Sequence, residues 1–245
     1  MEVLYKVAEH TVSILSLHKR VHIMCRDYWV SEGTPEIVIS TSQEDIDAER
    51  KKSEEEDRLE GIPVRHFTDA YLETLAVYRK LADAMLSFDT VLFHGSCISV
   101  DGEGYLFTAK SGTGKSTHTR LWREAFGSRA VMVNDDKPLL RIRESGVTAF
   151  GTPWDGKHRL SSNISVPLKA ICILERGEQN EIERVNLVEA YPMLLQQVNK
   201  PGETPKMLKT LQLLESLNET VGLYRLRCNM EPEAARIAFE GMQEK

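Results

Sequence analysis

The chain has 245 residues, 41% of them hydrophobic and 28% charged, with 31 Lys plus Arg against 37 Asp plus Glu. This is ordinary globular composition with room for a large core. The net charge of −6 excludes a protein that coats nucleic acid through a cationic surface. No apolar run of about 18 residues exists, so no membrane span is expected. Glu2, Lys6, Glu9 and His10 interrupt the apolar stretch from Met1 to Leu17, which argues against a signal peptide. The four cysteines, Cys25, Cys97, Cys172 and Cys228, form no CxxC pair, and two lie inside apolar runs. Reduced, buried thiols and a cytoplasmic location are the expectation.

Residues 1–87 read as a small α+β extension. Val12 to Leu17 and Ile37 to Ser40 are strand-like, and the run from Glu44 to Glu60 carries nine acids and four bases, so most of the net charge sits in one solvated loop or exposed helix. Phe67, Tyr71, Leu75, Tyr78, Ala82 and Met85 then recur at spacings of three and four, predicting an amphipathic helix with Thr68 as N-cap. From residue 88 the period changes to that of strands. Val91 to Phe93, Cys97 to Val100 and Tyr105 to Thr108 are short apolar runs, the last two joined by a turn signal at Asp101-Gly102-Glu103-Gly104. A helix is predicted from Lys115 to Phe126, stopped by Gly127. Strands follow at 130–133, 139–143 and 147–150, with a central strand at 168–174. The remainder is mostly helical, 188–198, 204–217 and 232–242, with one more strand at 221–227.

The strongest motif is Ala109-Lys110-Ser111-Gly112-Thr113-Gly114-Lys115-Ser116-Thr117, a phosphate-loop pattern with Ala109 in place of the leading glycine. An apolar strand enters it and a helix leaves it, so backbone N–H groups from Ser111 to Thr117 would converge on phosphates. Lys115 would reach the β- and γ-phosphates, and Ser116 would hold Mg²⁺. Nineteen residues on, a strand ends in Asp135-Asp136, a pair that suits one metal-linked acid and one proton acceptor. Such a strand is expected beside the phosphate loop. His94-Gly95 closes an earlier strand and is carried as a further candidate.

A His-Gly strand, a hairpin, a Ser-Gly-x-Gly-Lys-Ser loop and an Asp-Asp strand together resemble the catalytic domain of HPr kinase/phosphorylase. The loop and the Asp pair also look like those of ATP-dependent phosphoenolpyruvate carboxykinase. The resemblance covers residues 88–178 and is densest from His94 to Asp136. It implies an α/β fold with a P-loop core of the HPr kinase/phosphoenolpyruvate carboxykinase type, spanning residues 88–245 with the C-terminal helices. It implies ATP and Mg²⁺, a homo-oligomer, and phosphoryl transfer to a serine-like hydroxyl of a peptide, protein or small molecule. By motif position Asp135 would be the base, Asp136 the metal-linked acid beside Ser116, and His94 a neighbour of the phosphates. The family's later signature segment is not matched. In its place stands Gly151-Thr152-Pro153-Trp154-Asp155-Gly156-Lys157-His158-Arg159, a turn that presents Lys157, His158 and Arg159 toward an acidic acceptor or a transferring phosphoryl group, with Lys157 and Arg159 preferred and Asp155 a further candidate of the same substrate loop. His118 and Arg120, on the helix after the loop, are read as packing or facing away. A nucleotide-binding regulatory protein with little or no turnover is the alternative. Neither nucleic acid nor membrane is an expected partner.

Overall fold

A computed structural model describes residues 2–243. Met1, Glu244 and Lys245, which the two predicted zones include, lie outside the described residues. Clustering of contacts divides the chain into two compact units, Met1–Ala84 and Met85–Lys245. Among the described residues no helix is long and apolar enough to cross a membrane.

The first unit runs β1 (Glu2–Val7), β2 (His10–Leu15), α1 (Lys19–Met24), β3 (Ile37–Ser40), α2 (Gln43–Leu59) and α3 (Asp69–Met85). Its sheet has the order β1-β2-β3, with β1 antiparallel and β3 parallel to β2. The charge run forms α2, opened by a capping box in which the Ser42 N–H donates to Asp45 at 2.9 Å. It is not uniformly solvated. Glu49 and Asp57 are buried and ion-paired, with Arg79 at 2.6 Å and Arg65 at 2.6 Å. Hydrogen bonds from Arg65 hold the Asp57 carboxyl below the usual carboxylate range. In α3 the helical period is as read, and the Tyr71 N–H donates to Thr68 Oγ1 at 3.3 Å. The buried face is turned slightly from the expected stripe, toward Leu72, Val77, Leu81 and Met85.

The second unit is α/β, built on a mixed, curled sheet. Its elements are β4 (Thr90–Leu92), β5 (Ser96–Val100), β6 (Glu103–Thr108), α4 (Lys115–Phe126), β7 (Ala130–Asn134), β8 (Leu139–Arg143), β9 (Gly146–Phe150), β10 (Ser165–Arg176), β11 (Glu181–Arg184), α5 (Leu187–Gln197), α6 (Thr204–Ser216), β12 (Gly222–Cys228) and α7 (Glu233–Gly241). The nine strands follow the order β4-β8-β9-β10-β6-β5-β7, and β12 pairs with β10 and carries β11. β10 lies antiparallel to β9 at its start and parallel to β6 and β12 thereafter. Alternate residues of these strands feed two cores. Leu106, Ile171 and Leu223 pack with Ala190 and Leu194 of α5 and Leu213 of α6. Phe107, Cys172 and Tyr224 pack with Leu121 and Trp122 of α4 and Ala235 of α7. Burial pushes the Cys97 thiol up to about 12, and no described cysteine is disulfide-bonded.

Candidate functional site

The sheet brings the candidate residues to one end. β5 runs between β6 and β7 and is antiparallel to both, with Ser96 opposite Phe107 and Cys97 opposite Asn134. The start of β5 and the ends of β6 and β7 therefore meet. β5 thus stands between the Asp135-Asp136 strand and the loop strand, while the end of β7 reaches the same end of the sheet as the glycine loop. Three bonds tie this end together. The His94 carbonyl accepts from Thr108 Oγ1 at 3.2 Å, the Gly95 N–H donates to the Asp136 carbonyl at 3.0 Å, and the His94 N–H donates to the Gln197 carbonyl at 2.7 Å.

The glycine loop leaves β6 and enters α4 directly. Gly112 and Gly114 have φ of +76° and +122°, with open space where a Cβ would stand, so backbone conformation and not crowding requires glycine there. The Thr113 N–H closes on the Lys110 carbonyl at 3.2 Å, and Arg176 at the end of β10 donates to the Gly112 carbonyl at 2.8 Å. The Lys115 ammonium bonds the Ala109 carbonyl at 3.2 Å. Burial lowers its pKa, and the charge of Asp136 opposes that shift. Ser111, Gly112 and Ser116 are exposed, whereas Thr113, Gly114 and Thr117 are half-buried. The first-turn N–H groups of α4 have no partner within their own helix and are open to an anion.

Asn134 sets the geometry of the acid pair. Its Oδ1 accepts from the N–H groups of Asp136 at 2.8 Å and Lys137 at 2.6 Å, bending the chain just past β7. Its Nδ2 donates to the Thr152 carbonyl at 3.1 Å and the Trp154 carbonyl at 3.3 Å, fastening the 151–159 segment to the same place. Asn134 is fully buried. Sequence reading assigned it no role, and the only local signal was an Asn two residues before a polar turn.

Asp135 is 5% exposed, and its Oδ1 accepts the Gly156 N–H at 2.5 Å. Its Oδ2 is buried and has no hydrogen-bond partner among the described residues. Asp136 takes His94 Nε2 at 3.1 Å. Burial would raise the Asp136 pKa, but the His94 hydrogen bond and the charges of Lys137 and Lys115 outweigh it and keep the carboxylate ionised.

Two cavities flank the first turns of α4. One, of about 510 Å³, is walled by Gly112, Thr113, Gly114, Thr117, His118 and Leu121 with Leu174, Arg176, Gly177, Cys228, Asn229 and Met230. The other, of about 480 Å³, is walled by Ser116, Thr117, Thr119, Arg120, Arg123, Asp135, His158 and Leu160. His118 is buried as read, accepting the Trp122 indole N–H at 3.0 Å, and desolvation lowers its pKa to about 3. Arg120, read as facing away, shares a cavity with Asp135. Within the replacement segment, His158 reaches that cavity, while Lys157 and Arg159 are exposed and line neither. Asp155 is half-buried, bonded by Ser161 Oγ at 3.0 Å, and burial raises its pKa.

Among the described residues no group of three or more His, Cys, Asp or Glu forms a closed metal site. Ser116 and the ionised Asp136 do offer hard oxygen donors, and Mg²⁺ in nucleotide sites takes only one or two protein ligands beside phosphate and water. The donor chemistry fits that ion.

The model of the family described as SynChlorMet cassette protein ScmC matches residues 71–231, about two thirds of the chain. No curated protein matches. The solved structure of the Hpr(Ser) kinase/phosphatase from Coxiella burnetii is 12% identical, covering 62% of this chain and 99% of its own, with a TM-score of 0.35. That likeness is too loose to bear on fold or chemistry.

Proposed function

The chain belongs to the SynChlorMet cassette protein ScmC family, and from the loop motif and the geometry of its site we propose that it is an ATP-dependent phosphotransferase with an alcohol acceptor. Residues 88–245 would form its catalytic domain, a P-loop core of the HPr kinase type. The observation that carries this reading is Asp135, whose Oδ2 is buried without a hydrogen-bond partner among the described residues, in the wall of a cavity that Ser116 and Thr117 of the glycine loop also line.

Loop residues 111–117 bind the phosphates through backbone N–H groups, and Lys115 neutralises the β- and γ-phosphates. The more apolar cavity beside the loop, with Leu121, Leu174 and Met230 in its wall, takes the nucleoside. Mg²⁺, when bound, screens the phosphate charge, and Ser116 and Asp136 hold it. Asp135 accepts the proton of the acceptor hydroxyl through Oδ2 while the Gly156 N–H fixes its other oxygen. The hydroxyl oxygen bonds to the γ-phosphorus as the bond from phosphorus to the β,γ-bridging oxygen breaks, and ADP leaves with that electron pair. Asn134 holds the base and the 151–159 segment in one piece, so the transfer geometry is set before the acceptor arrives.

The test is incubation with γ-labelled ATP, alone and with cell extract. Label is expected in a hydroxyl acceptor, and Asp135→Asn should lower transfer by about 10²- to 10⁴-fold while ATP still binds. ATP binding without transfer, unaltered by Asp135→Asn, would leave a nucleotide-binding regulatory protein instead.

A further inference from the structure

The cavity that holds Asp135 is chemically lopsided. Its wall holds one carboxylate, Asp135, and, along α4, Ser116 followed by Arg120 and Arg123. At 1.5 Å rise per residue the two arginines lie about 6 and about 10 Å beyond Ser116 along the helix axis. Positions 116, 120 and 123 fall on one helical face, spaced four and three apart. His158 faces them from the segment that Asn134 anchors. Three groups that are or can become cationic thus face one carboxylate.

The arginines are poorly served by the protein. Arg123 Nε is buried and has no hydrogen-bond partner among the described residues. Arg120 gives Nη1 to Glu124 at 2.6 Å, but both side chains are about half exposed, so the pair is weak and leaves other guanidinium donors available. A phosphoryl group held at the first turn of α4 lies nearly two turns short of Arg123. That guanidinium is out of reach of such a phosphoryl group and free for a second anion, and planar guanidinium groups suit carboxylates.

We propose that the acceptor is an anionic alcohol, which offers its hydroxyl to Asp135 and a carboxylate to Arg123 and Arg120. This names the substrate class of the phosphotransferase site and rests on that reading. The cavity volume of about 480 Å³ suits a small hydroxy acid or a short acidic peptide segment. Both sources present the same carboxylate.

Two matched pairs of probes separate them: N-acetylserine against N-acetylserinamide, and the capped peptide Ser-Ala-Asp against Ser-Ala-Asn. Each is incubated with the full chain, Mg²⁺ and γ-labelled ATP, and ATP binding is measured in parallel. In at least one pair the acidic member should be labelled ten times faster or more than its neutral twin. Preference in the first pair alone marks a small hydroxy acid, and in the second an acidic peptide. Arg123→Gln and Arg120→Gln should each erase most of that preference by raising KM more than they lower kcat. Arg123→Lys should restore part of it, which separates lost charge from lost packing. Equal labelling within both pairs, or no labelling of any probe by protein that binds ATP, overturns the anionic acceptor. If wild-type protein neither binds ATP nor labels any acceptor in cell extract, the phosphotransferase reading falls and takes this proposal with it.

Discussion

The two sides of α4 face unlike cavities, though only twelve residues build the helix. One side carries His118, Leu121 and Trp122, with His118 and Trp122 edge-on to Phe107 and Trp122 edge-on to the α7 aromatic Phe239. The other carries Ser116, Thr119, Arg120 and Arg123. The difference lies in what each side does with polarity. On the packed side the His118 ring accepts the Trp122 indole N–H and burial keeps it neutral, with Nδ1 enclosed and without a partner among the described residues. On the other, a carboxylate and a guanidinium are left with unused bonding capacity. A single amphipathic helix can thus give one cavity a largely apolar wall and the other a charged one, and the sorting follows from a 3.6-residue period.

That contrast can be broken from either side. Trp122→Ala removes the largest fully buried side chain of the packed face and should cost about 3–5 kcal/mol, read as a lower urea midpoint. Lys115→Met strikes the point where the two faces meet and should weaken ATP binding about 100-fold, measured by calorimetry, with little loss of stability.

His118 sharpens the comparison through pH. Its folded pKa of about 3 lies below the unfolded value near 6.5, so across that window the unfolded chain binds the extra proton. Stability should therefore fall as pH drops, by about 2 kcal/mol between pH 7 and 5, and His118→Gln should flatten that part of the urea-midpoint profile. On the polar side, Gly156→Ala would place a Cβ 2.8 Å from Asp135 Oδ2. The base must shift, and transfer should slow about tenfold with the melting temperature nearly unchanged, because the segment is peripheral to both cores.

What the sequence made legible was local. The loop from Ser111 to Ser116, the helix behind it and the turn signalled by Asp101-Gly102-Glu103-Gly104 follow from adjacent residues, though the turn tightens to Asp101-Gly102 because β6 already starts at Glu103. The elements missed were those whose evidence is distant. β11, Glu181–Arg184, is short and mostly exposed and is defined by its pairing with β12. β1 alternates Tyr5 and Val7 inward with Lys6 outward, a period hidden by the charges that were weighed only against a signal peptide. The site shows the same division. Asp135, Asp136 and His94 could be named from sequence, but their spatial grouping needed β5 to stand between two other strands. Arg120 and Arg123 could not be assigned to a face until the end of β7 was placed. The preference for Lys157 and Arg159 over His158 rested on charge alone, whereas the turn after Trp154 decides which side chain meets the cavity.

β10 gives the assembly of this unit an order in time. Leu168 of β10 pairs with Gly104 of β6, and Ala170 with Gly222 of β12, so its partners come from far upstream and far downstream. During synthesis at roughly 5–20 residues per second, β6 waits roughly 3 to 14 seconds after its own completion before the last residue of β10 is made. Its edge is unpaired on that side throughout, which is when a nascent strand is most open to wrong partners. Arg176, the residue that latches the Gly112 carbonyl, is that last residue. The glycine loop is therefore among the early parts of the unit to be made and among the late ones to be held in shape, so a chain stopped short of Arg176 would carry the motif without the latch.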